Sequence, residues 1–166
     1  EIIDHSIEKS LNSKLFSKIL VVTNNLNHFK KKGYSKSVNV IKGGKERSDS
    51  SLKALKFLKK YNPKNVFIHD AARPNFSIRL LKNIAKYLKN NKAVVPIIYS
   101  KDTIKYKTQN QIFNLNRESC LLTQTPQAFR FKELYEFAKK QKNKITDEAT
   151  LFINKNFKIK FISGEK

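Results

Sequence analysis

The sequence predicts an α/β, Rossmann-like domain: a mostly parallel sheet with flanking helices and an inserted antiparallel β-hairpin arm. Three observations carry that expectation. Short apolar, strand-favouring runs alternate with segments of helical period, the rhythm of right-handed βαβ units. The run Val66-Phe67-Ile68 is apolar throughout, which suits a central parallel strand covered on both faces. It leads directly into the charged, turning loop His69-Asp70-Ala71-Ala72-Arg73-Pro74. Over residues 101–123 the pattern switches to polar–apolar alternation around a polar turn, the signature of a hairpin.

The elements follow in order. Ile3, Ile7, Leu11 and Leu15 recur at four-residue spacing, so residues 2–16 are expected to form an amphipathic helix. Lys18 to Thr23 reads as a strand, Asn24 to Lys32 as a short helix closed by Gly33, and Val38 to Ile41 as a second strand ended by Gly43-Gly44. Leu52, Leu55 and Leu58 mark the inner face of a helix from Ser48 to Tyr61, which Asn62-Pro63 terminates. Ser77 is the expected cap of a helix from Ile78 to Leu88, and Ala93 to Ile98 the strand after it. The segment 101–123 supplies the hairpin, turning near Thr108 to Asn110. An unpaired edge seeks a partner, which marks it as a dimerisation arm. Phe131 to Lys140 and Asp147 to Ile153 are expected to be helical, and Phe157 to Ile162 is the last strand.

Composition bounds the function. At 166 residues, 39% of them hydrophobic, the chain fits one domain with a real core, and no apolar run reaches membrane-spanning length. A lone cysteine, Cys120, and a start (Glu1-Ile2-Ile3-Asp4) without signal-peptide character lead to the expectation of a reducing, cytoplasmic setting. The net charge of +22 invites a nucleic-acid hypothesis. Of the 35 basic residues, however, only Arg47, Arg73, Arg79, Arg117 and Arg130 are arginine. Lysine, Asn and Ile share AT-rich codons, and the lysines are scattered over nearly every helix, so a field favouring small phosphorylated molecules is the safer inference.

Four places hold candidate chemistry. Asp70 and Arg73 sit at the carboxyl end of a strand, where open α/β sheets bind ligands. They either pair with each other and cap the turn, or hold a metal ion and a phosphate. Gly43-Gly44-Lys45-Glu46-Arg47-Ser48-Asp49-Ser50 lies between a strand and a helix. It is either a turn whose amides approach an anion or a plain turn with Ser48 as the helix cap. Around Pro126, Thr123, Gln124, Thr125 and Gln127 offer donors to a sugar or phosphate, or simply satisfy a bend, with Thr125 extended. Thr146-Asp147-Glu148-Ala149 reads as a helix start with Thr146 capping and two acids in the first turn. Arg117 has surface ion pairing as its default role. His5, His28 and His69 are too scattered for a metal site, and Cys120 has no partner suggesting nucleophilic catalysis.

Taken together and in order, Gly-Gly-Lys-Glu-Arg-Ser-Asp-Ser (43–50), His-Asp-Ala-Ala-Arg-Pro (69–74), Asp-Thr-Ile-Lys (102–105), Asn-Arg (116–117), Gln-Thr-Pro-Gln-Ala-Phe (124–129) and Thr-Asp-Glu-Ala (146–149) resemble the 2-C-methyl-D-erythritol 4-phosphate cytidylyltransferase family of the non-mevalonate isoprenoid pathway. The resemblance runs over essentially the whole chain. It implies a bacterial, cytoplasmic transferase that joins CMP from CTP to methylerythritol phosphate with release of pyrophosphate. It also implies Mg²⁺ and a homodimer whose hairpin arms embrace the neighbouring subunit. By matching motifs, it places Gly43, Gly44, Ser50 and Ala71 at the nucleotide and Asp70 at the catalytic centre beside the metal. Arg73, Thr103, Thr125 and Thr146 fall at the sugar phosphate, and the catalytic Arg117 reaches in, with Thr103, from the partner's arm.

The same resemblance implies that 1–166 is a single domain truncated at both ends. It starts after the glycine-rich loop that grips the CTP phosphates and stops short of a C-terminal substrate lysine. The supplied chain is therefore expected to be inactive or nearly so, and to keep an unpaired sheet edge or a gap that lowers its stability. The sister family that loads CTP onto ribitol 5-phosphate is the nearest rival, and a non-catalytic, basic nucleic-acid-binding protein is the rival from another class. Ala71-Ala72 and Thr146 to Ala149 lean toward the methylerythritol enzyme.

Overall fold

The computed structural model describes residues 1–30, 34, 36–141 and 145–165. The chain runs α1 (Ile2–Asn12), β1 (Ile19–Thr23), α2 (Leu26–Lys30), β2 (Val38–Lys42), α3 (Arg47–Leu58), β3 (Asn65–Ile68), α4 (Ile78–Leu88) and β4 (Ala93–Tyr99). It continues through β5 (Ile104–Lys107), β6 (Ile112–Leu115), β7 (Leu121–Thr123), β8 (Gln127–Arg130), α5 (Phe131–Lys140), α6 (Ala149–Ile153) and β9 (Lys160–Ser163), with 3₁₀ turns at Lys59–Tyr61 and Arg117–Ser119. The expected α/β class with flanking helices and an inserted hairpin holds. The helix end placed at Gly33 lies outside the described residues.

The sheet is more mixed than the alternation of strands and helices implied. β1 and β2 pair in parallel, as do β4 and β9. The unexpected strand is β8, which runs antiparallel to both β3 and β4. The expectation of β3 as a central parallel strand is thus corrected: among the described residues its only ladder is the antiparallel one to β8. Nothing in Gln-Ala-Phe-Arg alternates or is β-branched, so β8 owes its strand conformation to the two neighbours that bond it.

β7 and β8 lie in succession along β4. Thr123 pairs with Ile97 and Ala128 with Val94, and the bend at the cis Thr125–Pro126 peptide interrupts them. That bend carries Thr125 toward the carboxyl end of β3.

Amphipathic helices cover both faces. α4 has Ser77 as its cap, whose hydroxyl accepts the Leu80 N–H at 3.0 Å. It buries Leu81, Ile84 and Leu88 against Val94, Ala128 and Ile162. On the other face Leu55 of α3, Leu134 of α5 and Phe152 of α6 pack with Ala93 and Phe129. The hairpin β5–β6 turns where expected, with Ile104 opposite Leu115 and Lys107 opposite Ile112. It stands apart as its own two-stranded sheet.

Two helix starts differ from expectation. α3 begins at Arg47, and the Asp49 carboxylate, not the Ser48 hydroxyl, accepts the Glu46 N–H. α6 is capped by Asp147, whose Oδ1 accepts the Thr150 N–H at 3.1 Å, while Thr146 lies exposed before it. A carboxylate is the stronger acceptor for free helix amides and complements the dipole as well.

Candidate functional site

The loop after β3 is built as a turn, with Arg73 N–H donating to the Asp70 carbonyl at 3.0 Å. Its side chains do not pair as the simplest reading of the sequence has it. Arg73 Nε stands 4.0 Å from Asp70 Oδ2, a loose approach between exposed groups. The close partner of Asp70 is Arg47, whose Nε donates to Oδ1 at 3.1 Å. The same guanidinium forks onto Glu148, Nη1 to Oε1 at 2.9 Å and Nη2 to Oε2 at 3.0 Å. Burial pushes the Arg47 pKa down. The hydrogen bonds and charges of Glu148 and Asp70 more than offset this and raise it above its ordinary value, so the guanidinium stays charged. Three motifs that are far apart in sequence therefore meet on one side chain.

Behind Asp70 lies a second junction. Thr125 Oγ1 accepts the Asp70 backbone N–H at 3.1 Å and stands 3.1 Å from His69 Nδ1. His69 Nε2 is 3.5 Å from Ser6 Oγ on α1, and its ring meets Phe76 edge-on. Lys9, also on α1, donates to the Pro74 carbonyl at 2.6 Å. Burial pushes the His69 pKa down to about 4, against a smaller upward pull from Asp70, so the ring is neutral at physiological pH.

The glycine turn is tightly made. A Cβ on Gly44 would sit 2.3 Å from Asp49 Cβ, so only glycine lets the chain pass this close to the start of α3. Gly44 N–H donates to Ser50 Oγ at 2.9 Å, and Lys53 Nζ to the Gly43 carbonyl at 2.9 Å.

Asp147 gathers Gln127 Nε2 at 3.0 Å, Thr123 Oγ1 at 3.2 Å and Thr150 Oγ1 at 2.9 Å. Burial pushes its pKa up, but these donors and the Thr150 amide hold it below the ordinary carboxylate value.

A cavity of about 560 Å³ borders Arg47, Asp70 and His69. Its lining combines apolar residues of β1, β3, α3 and α4 with Arg47, Ser50, His69, Asp70 and Ala71. β1 and β3 both border it and share no ladder among the described residues. Asp70, Ala71 and Ser50 are thus brought together, with Gly43 and Gly44 in the adjoining turn and Thr125 behind the loop. Thr103, Arg117 and Thr146 do not line the cavity. Arg117 sits in the 3₁₀ turn after β6 and donates through Nη1 to the Lys101 carbonyl at 2.8 Å, inside the arm.

A sequence model of the family described as 2-C-methyl-D-erythritol 4-phosphate cytidylyltransferase matches residues 1–166. The chain belongs to that family. Among curated relatives, the bifunctional enzyme IspD/IspF of Pelagibacter ubique (strain HTCC1062) is 46% identical over 162 residues, covering 97% of the chain and 44% of the relative. The 2-C-methyl-D-erythritol 4-phosphate cytidylyltransferase of Clostridium beijerinckii is 35% identical over 132 residues, covering 76% of the chain and 58% of the relative. The chain thus spans about half the length of these two. The crystal structure of 4-diphosphocytidyl-2C-methyl-D-erythritol synthase from Anaerococcus prevotii superposes with a TM-score of 0.89 at 28% identity, over 99% of this chain and 77% of that one. These relatives are bacterial, and no helix among the described residues is long and apolar enough to cross a membrane.

Arg47, Glu148 and His69 are the site residues that sequence reasoning did not single out. The Arg47–Glu148 pair spans 101 positions, which no local pattern reports. One signal was available: in a chain that uses lysine almost everywhere, an arginine is a candidate for a place where a planar fork is needed, and Arg47 is one of five.

Proposed function

We propose that the full-length protein carrying this chain transfers CMP from CTP to 2-C-methyl-D-erythritol 4-phosphate, releasing pyrophosphate. The observation that supports this best is the convergence on Arg47 of the glycine turn, the Asp70 loop and the segment at Glu148, at the rim of one cavity. Gly43, Gly44, Ser50 and Ala71 hold the nucleotide. Arg73 and Thr146 serve the sugar phosphate. Thr125 serves it by fixing the Asp70 amide, since its hydroxyl is already engaged there. A phosphate oxygen of the sugar attacks the α-phosphorus of CTP in line. The new P–O bond forms as the bond to the β-phosphate oxygen breaks, so no covalent protein intermediate is required.

Mg²⁺ fits this donor set. No group of three or more His, Cys, Asp or Glu that could hold a metal exists among the described residues, so a protein cage is not on offer. A single half-exposed carboxylate is what Mg²⁺ uses when substrate phosphates supply the other oxygens. When bound, it would offset charge on the phosphates. Asp70 is the residue that would hold it.

Thr103 and Arg117 complete the site from a second copy. The arm supports this by its surface: Tyr106, Ile112, Phe113 and Leu115 are all exposed, and a lone two-stranded hairpin is marginal in water without a partner. The test is pyrophosphate release by the full-length protein with CTP and either methylerythritol phosphate or ribitol 5-phosphate. Preference for the first is expected. Turnover of the second alone, or of neither, overturns the reading. The 166-residue chain assayed beside it is expected to be nearly inactive.

A further inference from the structure

The Arg47–Glu148 pair is built for more than holding the fold together. Glu148 is 1% exposed, and among the described residues Arg47 is the only partner of its carboxylate. Removing two charges from water costs about as much as their attraction returns, so a buried pair is weak evidence for stability. It does supply direction. With both Nη atoms fixed on Glu148, the plane of the guanidinium is set, its Nε–H points in one direction only, and that donor meets Asp70 Oδ1. Asp70 Oδ2 has no hydrogen bond among the described residues, and Arg73 Nε stands 4.0 Å from it. The two carboxylate oxygens therefore have different duties, one tethered and one available. Arg47 is also the first residue of α3, directly after the glycine turn, so the same contact sets the spacing between that turn and Asp70.

Resting on the nucleotidyl-transfer reading above, we infer that Arg47, anchored by Glu148, is the positioning residue that orients Asp70 so that Oδ2 meets the phosphate-bound cation. A lysine at this position keeps the charge but cannot serve Glu148 at two points and Asp70 at a third.

The test uses the full-length protein with Arg47→Lys, the paired Arg47→Met/Glu148→Leu and, as reference, Asp70→Asn. The paired change removes both charges together, so no orphan carboxylate remains buried; should it still not fold, Arg47→Lys decides. Arg47→Lys is expected to lower kcat about 10–100-fold, as a misplaced catalytic group does, with KM for CTP within about threefold of the parent. The second readout is pulsed EPR of Mn²⁺ with CTP on protein labelled with ¹³C at aspartate carboxylates. The parent is expected to show a carboxylate coupling, Asp70→Asn to lack it, and both Arg47 variants to show it weakened or lost. If Asp70→Asn abolishes turnover and coupling while the Arg47 variants keep both, the positioning role is overturned and the reading of function stands. If the parent shows neither turnover nor coupling, both fall.

Discussion

The body of the molecule and its arm handle apolar residues in opposite ways. In the body Phe129, Leu134 and Phe152 are wholly buried between sheet and helices. In the arm Ile112 is 66% exposed and Phe113 46%, on a hairpin bonded only to itself. The candidate residues divide likewise. Arg47 and Asp70 are locked by neighbours from distant parts of the chain, whereas among the described residues the Arg117 side chain reaches only Lys101 nearby. The lesson is that the fold fixes the Asp70 carboxylate from distant elements and leaves Arg117 held within the arm alone.

Four measurements sharpen or break that contrast. In the full-length protein Asp70→Asn is expected to lower kcat by about 10³-fold and Arg117→Ala by about 10²-fold, both with unchanged melting, by stopped pyrophosphate assays. Mixed dimers of the two inactive variants should regain part of the activity if Arg117 acts across the interface. No regain would assign Arg117 to its own copy. Next in size, Phe152→Ala in the body should cost about 3–5 kcal/mol by urea denaturation. Phe113→Ser in the arm should cost under about 1 kcal/mol in the monomer and instead weaken self-association in sedimentation. Equal costs would erase the distinction.

Acid should act on the body. His69 takes its proton near pH 4 when folded and near 6.5 when unfolded, so the unfolded chain binds more protons between these values. Stability is complete above about pH 6.5 and falls on the way to pH 4. About 2 kcal/mol should be lost between pH 7 and pH 5 in metal-free urea titrations, and His69→Gln should flatten that slope. A comparable effect is expected from Gly44→Ala, where the 2.3 Å approach forces the turn outward. It should cost about 1–2 kcal/mol in denaturant and weaken nucleotide binding by calorimetry.

What the sequence made legible follows the same division. Local signals are read well: the Ser77 cap, the bounds of α4 and the hairpin turn all depend on residues a few positions apart. Tertiary signals are not. Gln127–Arg130 becomes a strand only because β3 and β4 flank it, with Gln127 almost fully buried. The Asp70 contact went to Arg47 rather than to nearby Arg73 because the fork on Glu148 could be met only by a residue the fold delivers. Composition held one unused hint, since Arg130 too bonds at two points, to Asn65 and to the Lys89 carbonyl.

The bend at Thr125–Pro126 gives the arm a very short wrist. Thr123 ends the strand by which the arm returns to β4, and two residues later Thr125 grips the Asp70 amide. No slack loop separates the two, so whatever docks on the hairpin also pulls on the backbone of Asp70.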